Sequence, residues 1–376
     1  MILGIETSCD ETSAAVVDNG RTVLSNVIVS SLKDHVKFGG VIPEIASRRQ
    51  LEYINTVVTK ALDEAGVTLA DIDAVAYTQE PGLIGSLLVG ISFAKALGFA
   101  LKKPFYPVDH IRAHLYANFL QGPTNNNKNK LPVLPAIGLV VSGGHTSLYL
   151  VKSIHQFRLI GQTLDDAAGE AFDKVARILG LGYPGGPVID RLAKQVDHSR
   201  VHPPSPNDFR NLASADSVRK IVKADGPGEA KGESTLAKTG QIKASHRQSM
   251  VGLHFTCAQL PGSFDFSFSG IKTAILYYYR DHKNDPDVSL AEIAHAFEKS
   301  VVDVLVAKSL LACRKYRIKT LLIGGGVAAN SMLRQRLSEE AGRQAVNVHF
   351  PPLSLCLDNA AMIAGLGYHS TKKNPH

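Results

Sequence analysis

The chain has 376 residues, 44% of them hydrophobic and 20% charged, enough for two domains or one large two-lobed fold with a sizeable core. Its formal charge of +7 permits nucleic-acid binding without establishing it, because nine Lys/Arg against five Asp/Glu between residues 199 and 250 supply +4 of that charge. Four cysteines lack framework or metal-ligand spacing, no secretory signal precedes the first strand, and the apolar stretch Leu87–Leu101 is interrupted by Lys95 and reads as a buried helix. These features predict a cytoplasmic protein with no membrane span.

Ile2 to Ile5 reads as a strand, followed by the acid- and hydroxyl-rich turn Glu6-Thr7-Ser8-Cys9-Asp10-Glu11-Thr12 and by strands at Ala14–Val17 and Thr22–Val29. Such a turn suits a phosphate or a hydrated cation, and equally a plain solvated turn. Gly39-Gly40-Val41-Ile42-Pro43 introduces a helix from Glu44 to Ala65, Asp73–Thr78 is a strand, and Pro81 to Ser86 leads into a helix ending near Leu101. Pro104–Pro107 is a short strand, after which Asp109 caps a helix to about Leu120 that carries His110 and His114. Histidines four apart share one helix face and can bind one metal. The spacing alone is weak, since His198 and His202 repeat it beside Pro203-Pro204 in a polar stretch.

Gly122 to Lys130 is polar and reads as a surface loop. Ile137–Val141 is a buried strand ending in Ser142-Gly143-Gly144, with Ser147–Val151 as its hairpin partner. Paired glycines let main-chain N–H groups approach an anion, although Ser-Gly-Gly also makes ordinary hairpin turns. A helix spans Asp165 to Leu179, and a second glycine loop, Gly182-Tyr183-Pro184-Gly185-Gly186-Pro187, precedes the helix carrying Asp190. From about 195 to 260 the chain is polar, punctuated by Pro and Gly, and reads as an insertion. Beyond it come Phe264–Thr273, a long helix from about Leu290 to Tyr316, the strand Lys319–Ile323 ending in Gly324-Gly325-Gly326, a helix from Ser331, the strand Val346–Phe350, and a last helix opened by Leu357-Asp358-Asn359-Ala360. Three strands thus feed ligand-compatible turns, near Ile5, Val141 and Ile323. In an alternating α/β chain this predicts a nucleotide held between two related lobes.

Seven segments in register carry a family resemblance: Glu6–Thr12, His110/His114, Val140–Thr146, Ala168-Gly169-Glu170-Ala171-Phe172-Asp173-Lys174, Phe266-Ser267-Phe268-Ser269-Gly270, Gly324–Asn330 and Asp358-Asn359. Over about residues 1–195 and 262–370 the chain resembles the bacterial tRNA N6-adenosine threonylcarbamoyltransferase family, formerly described as glycoproteases. The resemblance implies an actin-like ATPase (ASKHA) fold of two ribonuclease-H-like lobes around a nucleotide cleft. The N-terminal lobe would span 1–107 and the C-terminal lobe 108–376, with the insertion at 195–260 and the last helix (358–370) returning to the cleft. It implies transfer of threonylcarbamoyl from threonylcarbamoyl-AMP to the adenosine beside the anticodon of ANN-decoding tRNAs. It also implies an ATP-like nucleotide, a smaller paralogous subunit (TsaB-like) and an ATPase (TsaE-like).

By motif position His110, His114 and Asp358 match the ligands of one divalent metal, Fe2+ or alternatively Zn2+. Val140, Val141, Ser142, Gly143, Gly144, Asp173, Gly186, Asp190 and Asn330 match substrate-binding positions, and Asp10 falls where an acid near the reacting group is expected. The chain departs from the pattern at Gln50, where a histidine is common, at Leu357 and Ala360, where Thr and Gly are usual, and in the length of the insertion. Three other activities compete with this reading. A paired-histidine zinc protease places a glutamate after the first histidine, where this chain has Ile111 and Arg112. A small-molecule kinase on the same fold would not need the histidines, and a non-catalytic scaffold would have lost them.

Overall fold

The computed structural model describes residues 1–122, 131–196, 253–258, 260–285 and 288–371. Met1–Gln195 and His254–His376 form one compact unit. The second unit, Val196–Leu253, falls almost wholly outside the described residues, as do most of the expected insertion, the loop at 123–130 and the pair His198/His202.

Two five-stranded sheets repeat one plan. In the first, β1 (Ile2–Glu6) lies at the centre, antiparallel to β2 (Glu11–Asp18) and parallel to β4 (Ala74–Glu80). β3 (Thr22–Ser30) and β5 (Phe105–Asp109) close the edges, giving the order β3-β2-β1-β4-β5. In the second, β6 (Ala136–Val141) is central, antiparallel to β7 (Thr146–Ser153) and parallel to β9 (Thr320–Gly324). β8 (Gln156–Gln162) and β10 (Asn347–His349) are its edges, in the order β8-β7-β6-β9-β10. Both central strands are buried along their whole length. Their unbroken apolar runs follow from having helices on one face and the rest of the protein on the other.

The helices are α1 (Leu32–His35), α2 (Pro43–Ala65), α3 (Ile84–Leu101), α4 (His110–Tyr116), α5 (Ala168–Ile178), α6 (Gly185–Ala193), α7 (Ser269–His282), α8 (Leu290–Tyr316), α9 (Ser331–Arg343) and α10 (Ala360–Thr371). α2 and α3 cover one face of the first sheet, whereas α10 lies across the other, on β1, β2, β4 and β5. α8 backs the second sheet together with α6 and α9. Between the sheets, α4 and α10 share one core in which Ile111, Leu115, Tyr116, Met362 and Ile363 meet Ile2, Val17, Val140 and Leu322. The N-terminal ends of these two helices therefore arrive together where the central strands end.

Three elements differ from the expected pattern. β8 lies in a stretch to which the sequence assigns no element, because QFRLIGQ is largely exposed and does not alternate cleanly. α7 follows Phe268 without a side-chain cap, so its start carries no signal. α3 is not a buried helix: Ser86, Leu87, Val89, Gly90, Ala94 and Gly98 pack inward, while Ile84, Leu88 and Phe99 are exposed. By length and composition this helix could cross a membrane. The spacing of its small residues instead seats it against its neighbours, where Gly90 meets Thr7 and Gly98 meets Phe105.

A candidate metal centre facing an open glycine loop

The helix carrying the two histidines begins as the sequence predicts, with the Asp109 side chain accepting from the Arg112 N–H at 2.8 Å. It ends earlier than expected, at Tyr116, and continues as one 3-10 turn to Phe119. His110 and His114 sit one turn apart, buried, with their Nε2 atoms 3.2 Å from each other. The carboxylate of Asp358, just ahead of α10, brings Oδ1 to 3.5 Å from His110 Nε2 and 3.2 Å from His114 Nε2. Its side chain keeps one-fifth of its surface exposed, so the cluster opens on one side. Asn359 fixes that corner: its Oδ1 accepts from the Met362 N–H at 3.1 Å, and its Nδ2 donates to the Leu357 carbonyl at 2.7 Å.

The buried carboxylate of Glu6, at the end of β1, lies 2.9 Å from His110 Nδ1. Glu6 is held in turn by the Thr78 hydroxyl at 2.6 Å and the Ser8 N–H at 2.5 Å. An acceptor at Nδ1 keeps the proton there and leaves the Nε2 lone pair aimed at Asp358 and His114. Three electron-rich atoms at these spacings fit one cation, because bonds of about 2.0–2.1 Å place neighbouring donors roughly 3.0–3.4 Å apart. His114 Nδ1 is buried and has no hydrogen-bond partner among the described residues, so only its Nε2 is engaged.

The charges around the cluster follow from burial and neighbours. Burial works against a charged His110, but Glu6 and Asp358 outweigh it and raise its pKa well above the usual imidazole value. Burial lowers that of His114. Burial opposes ionisation of Asp358 too, yet His110 and His114 hold its carboxyl far below the usual range. In the β1–β2 turn, burial followed by the charges of Asp358 and Asp10 raises Glu11. Burial likewise pushes the Cys9 thiol up, which removes it as a nucleophile. The charge of Asp10 acts on its chain neighbours Cys9 and Glu11 and on Asp173 of α5 and Tyr183. The Asp10 carbonyl accepts from the Ser31 N–H at 3.0 Å and hydroxyl at 2.9 Å, and Oδ2 accepts from the Ser30 hydroxyl at 3.4 Å.

The second sheet contributes a turn of the opposite character. Val140 and Val141 are buried in β6, so only their backbone can meet a ligand. Ser142 and His145 close the turn, with Ser142 N–H on the His145 carbonyl at 2.8 Å and His145 N–H on the Ser142 hydroxyl at 3.1 Å. Gly143 and Gly144 are exposed, and a Cβ at either would meet nothing within 4 Å. Beneath them α5 packs through Gly169, where a Cβ would lie 2.6 Å from the Ser142 carbonyl oxygen. Gly325, at φ +91°, lets the β9 turn close against Val141. The β9 turn joins this loop to the His/His/Asp cluster, since Gly324 packs on the His114 carbonyl and Gly325 on Val141, and burial followed by the charges of His110 and His114 lowers the pKa of His145.

The remaining candidates hold helix starts. Asp173 accepts from the Gly185 N–H at 2.7 Å and is raised by burial, while Gly186 faces open space. Asp190 accepts from the Ser331 N–H at 3.0 Å and hydroxyl at 2.6 Å, and pairs with Lys194 at 2.7 Å. Asn330 caps α9 through the Leu333 N–H at 2.8 Å and donates to Glu298 at 2.5 Å. The structure thus brings His110, His114 and Asp358 together, and the β9 turn bridges them to the glycine loop, with Gly324 against the His114 carbonyl and Gly325 against Val141. Asp190 and Asn330 form a separate group with Ser331, Lys194 and Glu298. Sequence reasoning missed two buried carboxylates, Glu6 and Glu298. Glu6 was visible as an acid ending a buried strand, and Glu298 as one acid within the apolar face of α8.

A model of the family described as tRNA N6-adenosine threonylcarbamoyltransferase matches residues 22–214 and 211–365. Relatives of that name include one from Clostridium botulinum strain Hall, 44% identical over 98% of this chain and 91% of its own length, and one from Fusobacterium nucleatum, 43% identical over 99% and 92%. Among solved structures, the Acidaminococcus fermentans (R)-2-hydroxyglutaryl-CoA dehydratase component A superposes with TM-score 0.50 at 12% identity, covering 99% of this chain and 98% of the other. Full-length HypF in its phosphate- and nucleotide-bound form gives TM-score 0.50 at 16% identity, covering 99% of this chain and 55% of its own. These two share the fold, the two-lobed actin-like ATPase architecture. Matches over nearly the whole chain at more than two-fifths identity to the curated relatives settle the family: this chain belongs to the tRNA N6-adenosine threonylcarbamoyltransferases.

Proposed function

We propose that this protein transfers the threonylcarbamoyl group from threonylcarbamoyl-AMP to N6 of the adenosine beside the anticodon of ANN-decoding tRNAs. The observation that carries the reading is the meeting of a His/His/Asp cluster with an open glycine turn, joined by the β9 turn. The exocyclic amine of adenine is a weak nucleophile, so the reaction depends on an activated donor held firmly and on charge stabilisation at the carbonyl. The new bond joins N6 to the carbamoyl carbon, the carbon–oxygen bond to the phosphate breaks, and AMP leaves with the electron pair.

His110, His114 and Asp358 would hold one divalent cation, which supplies Lewis-acid polarisation when bound. Two imidazoles and one carboxylate with open positions are a donor set of both non-haem Fe2+ and catalytic Zn2+, and of the two the family resemblance favours iron. Glu6 keeps the His110 proton on Nδ1. The main chain of Val140 to Gly144 takes the adenylate phosphate at the start of α5. Asp173, Gly186, Asp190 and Asn330 shape the nucleotide side of the cleft, and Asp10 accepts the proton that N6 releases. The target lies in a single-stranded loop, so its edge is reachable without opening a duplex.

The partners are tRNA, a smaller paralogous subunit and an ATPase. The exposed apolar surface of α2 and α3, with Leu51 and Leu88 beside a cavity of about 530 Å3 lined also by Ser47, Asn55 and Phe93, is the docking face for the paralogue. On this reading α3 meets a protein and not a membrane. The four thiols are free, which fits the reducing cytoplasm.

The test is nucleoside mass spectrometry of tRNA from cells depleted of their own transferase. Threonylcarbamoyladenosine should return with this chain and its partners and stay absent with the His110→Ala/His114→Ala form. Equal restoration by both would overturn the assignment of the histidines, and no restoration by either with cognate partners present would overturn the reaction.

A further inference from the structure

Gln50 lies in the middle of α2, is fully buried, and stands apart from the active-site residues named so far. Its Nε2 donates to the Cys9 carbonyl at 2.9 Å and the Glu11 carbonyl at 3.1 Å, with the Thr7 carbonyl at 3.5 Å. The orientation of the amide is forced: turned over, Oε1 would face three carbonyl oxygens. Its Oε1 is itself buried without a partner among the described residues. An unsatisfied buried acceptor costs about 1–3 kcal/mol, so a residue kept only for packing would be apolar here.

The two carbonyls that Gln50 grips belong to the residues on either side of Asp10. The Asp10 carbonyl is held by Ser31, and the Ser8 carbonyl accepts from the Leu83 N–H at 2.8 Å. The backbone around Asp10 is therefore pinned from three elements. Gln50 is the one side chain of the three that spans both of its flanks. Each of the two N–H bonds on one nitrogen can serve a different carbonyl. A neutral imidazole, common at this position in the family, has a single N–H and can serve only one.

We infer that Gln50 is a positioning residue for the transfer reaction, clamping the Cys9 and Glu11 carbonyls so that the Asp10 carboxylate is held at the reacting group. The inference rests on the proposed function and on the role given there to Asp10. It is tested with the full chain and its cognate partners, comparing Gln50→Leu, Gln50→Glu and Gln50→His by single-turnover transfer from the adenylate to tRNA, with metal content and Tm measured on each.

Loss of the clamp in Gln50→Leu should lower the transfer rate by roughly 10–100-fold, as small misplacements near reacting groups do. The apparent affinity for the adenylate and the metal content should stay within about twofold. Gln50→Glu, measured at a pH where its carboxyl is ionised, should be as slow, because that carboxylate has no proton to donate to either carbonyl. Gln50→His should recover most of the rate through one carbonyl. If Gln50→Leu folds, keeps its metal and matches the unaltered chain in rate, the clamp is refuted. If Gln50→Leu does not fold, the Gln50→Glu and Gln50→His pair decides: equal rates refute the clamp and a slow Gln50→Glu beside a restored Gln50→His supports it. An unaltered chain that transfers nothing with its partners would instead refute the proposed function before any variant is compared.

Discussion

The turns that follow β1 and β6 occupy equivalent places in two sheets of one plan, yet they are opposites. After β1 the chain is acidic and buried: Glu6 is fully enclosed, and the carbonyls from Ser8 to Glu11 are bonded from α2, α3 and the end of β3. After β6 it is neutral and open, with two exposed glycines that touch nothing where a Cβ would stand. A duplicated scaffold has been turned to complementary ends. On the proposed function, Glu6 on one side orients the imidazole of His110 toward a cation, and the glycine turn on the other offers main-chain N–H groups to an anion. His145, on the second turn, lies within the field of the His/His/Asp cluster that Glu6 of the first orients.

The sharpest way to break this comparison is to remove the cation half. His114→Ala leaves a carboxylate and one imidazole, and transfer should fall by roughly 1000-fold as an electrostatic stabiliser is lost. Metal content by elemental analysis should fall with it. A step down, Glu6→Gln offers His110 Nδ1 an amide in place of an anion, and metal affinity should weaken about 10–100-fold while the fold stays intact.

On the open side, Gly144→Ala should leave Tm unchanged, since the added methyl meets nothing, and raise the adenylate KM about tenfold, equal to roughly 1.4 kcal/mol. Gly169→Ala should do the reverse. Its methyl would press on the Ser142 carbonyl and cost about 1–3 kcal/mol of stability, measured by chemical denaturation.

The smallest effect concerns pH. Burial pushes the Glu298 carboxyl up to about 7 from 4.5. The folded state therefore binds a proton that the unfolded chain has released, and the stability this gives is full below about pH 4.5 and lost as pH rises through 7. Glu298→Gln keeps an acceptor for Asn330, removes the titration, and should be more stable than the native chain at pH 8 by up to roughly 3 kcal/mol. A flat difference between the two proteins across that range would contradict it.

Much of this was legible in the residues. The apolar run Ile2–Ile5, the alternating α/β order and the three ligand-compatible turns are local signals, and the His/His/Asp set stood in recognisable motifs. What was not legible is what distance in sequence hides. Glu6 and His110 are 104 residues apart, and nothing in either segment says that the end of β1 meets the start of α4 across β4. Gln50 looked like a departure from a pattern until α2 was laid over the β1–β2 turn. α3 looked buried because its composition is apolar, whereas burial is set by which face has a neighbour. β8 was missed because an exposed edge strand has no apolar face to announce it.

The central claim is that the His/His/Asp cluster, oriented by Glu6, and the glycine turn hold one ligand from opposite sides. It is tested most directly by 31P NMR of an adenylate bound to the Mn2+-loaded protein, with His114→Ala and a diamagnetic Zn2+ form as controls. Strong paramagnetic broadening of the bound phosphate, lost in His114→Ala, is the predicted result. A phosphate line as narrow with Mn2+ as with Zn2+, for an adenylate shown to be bound, would contradict the account.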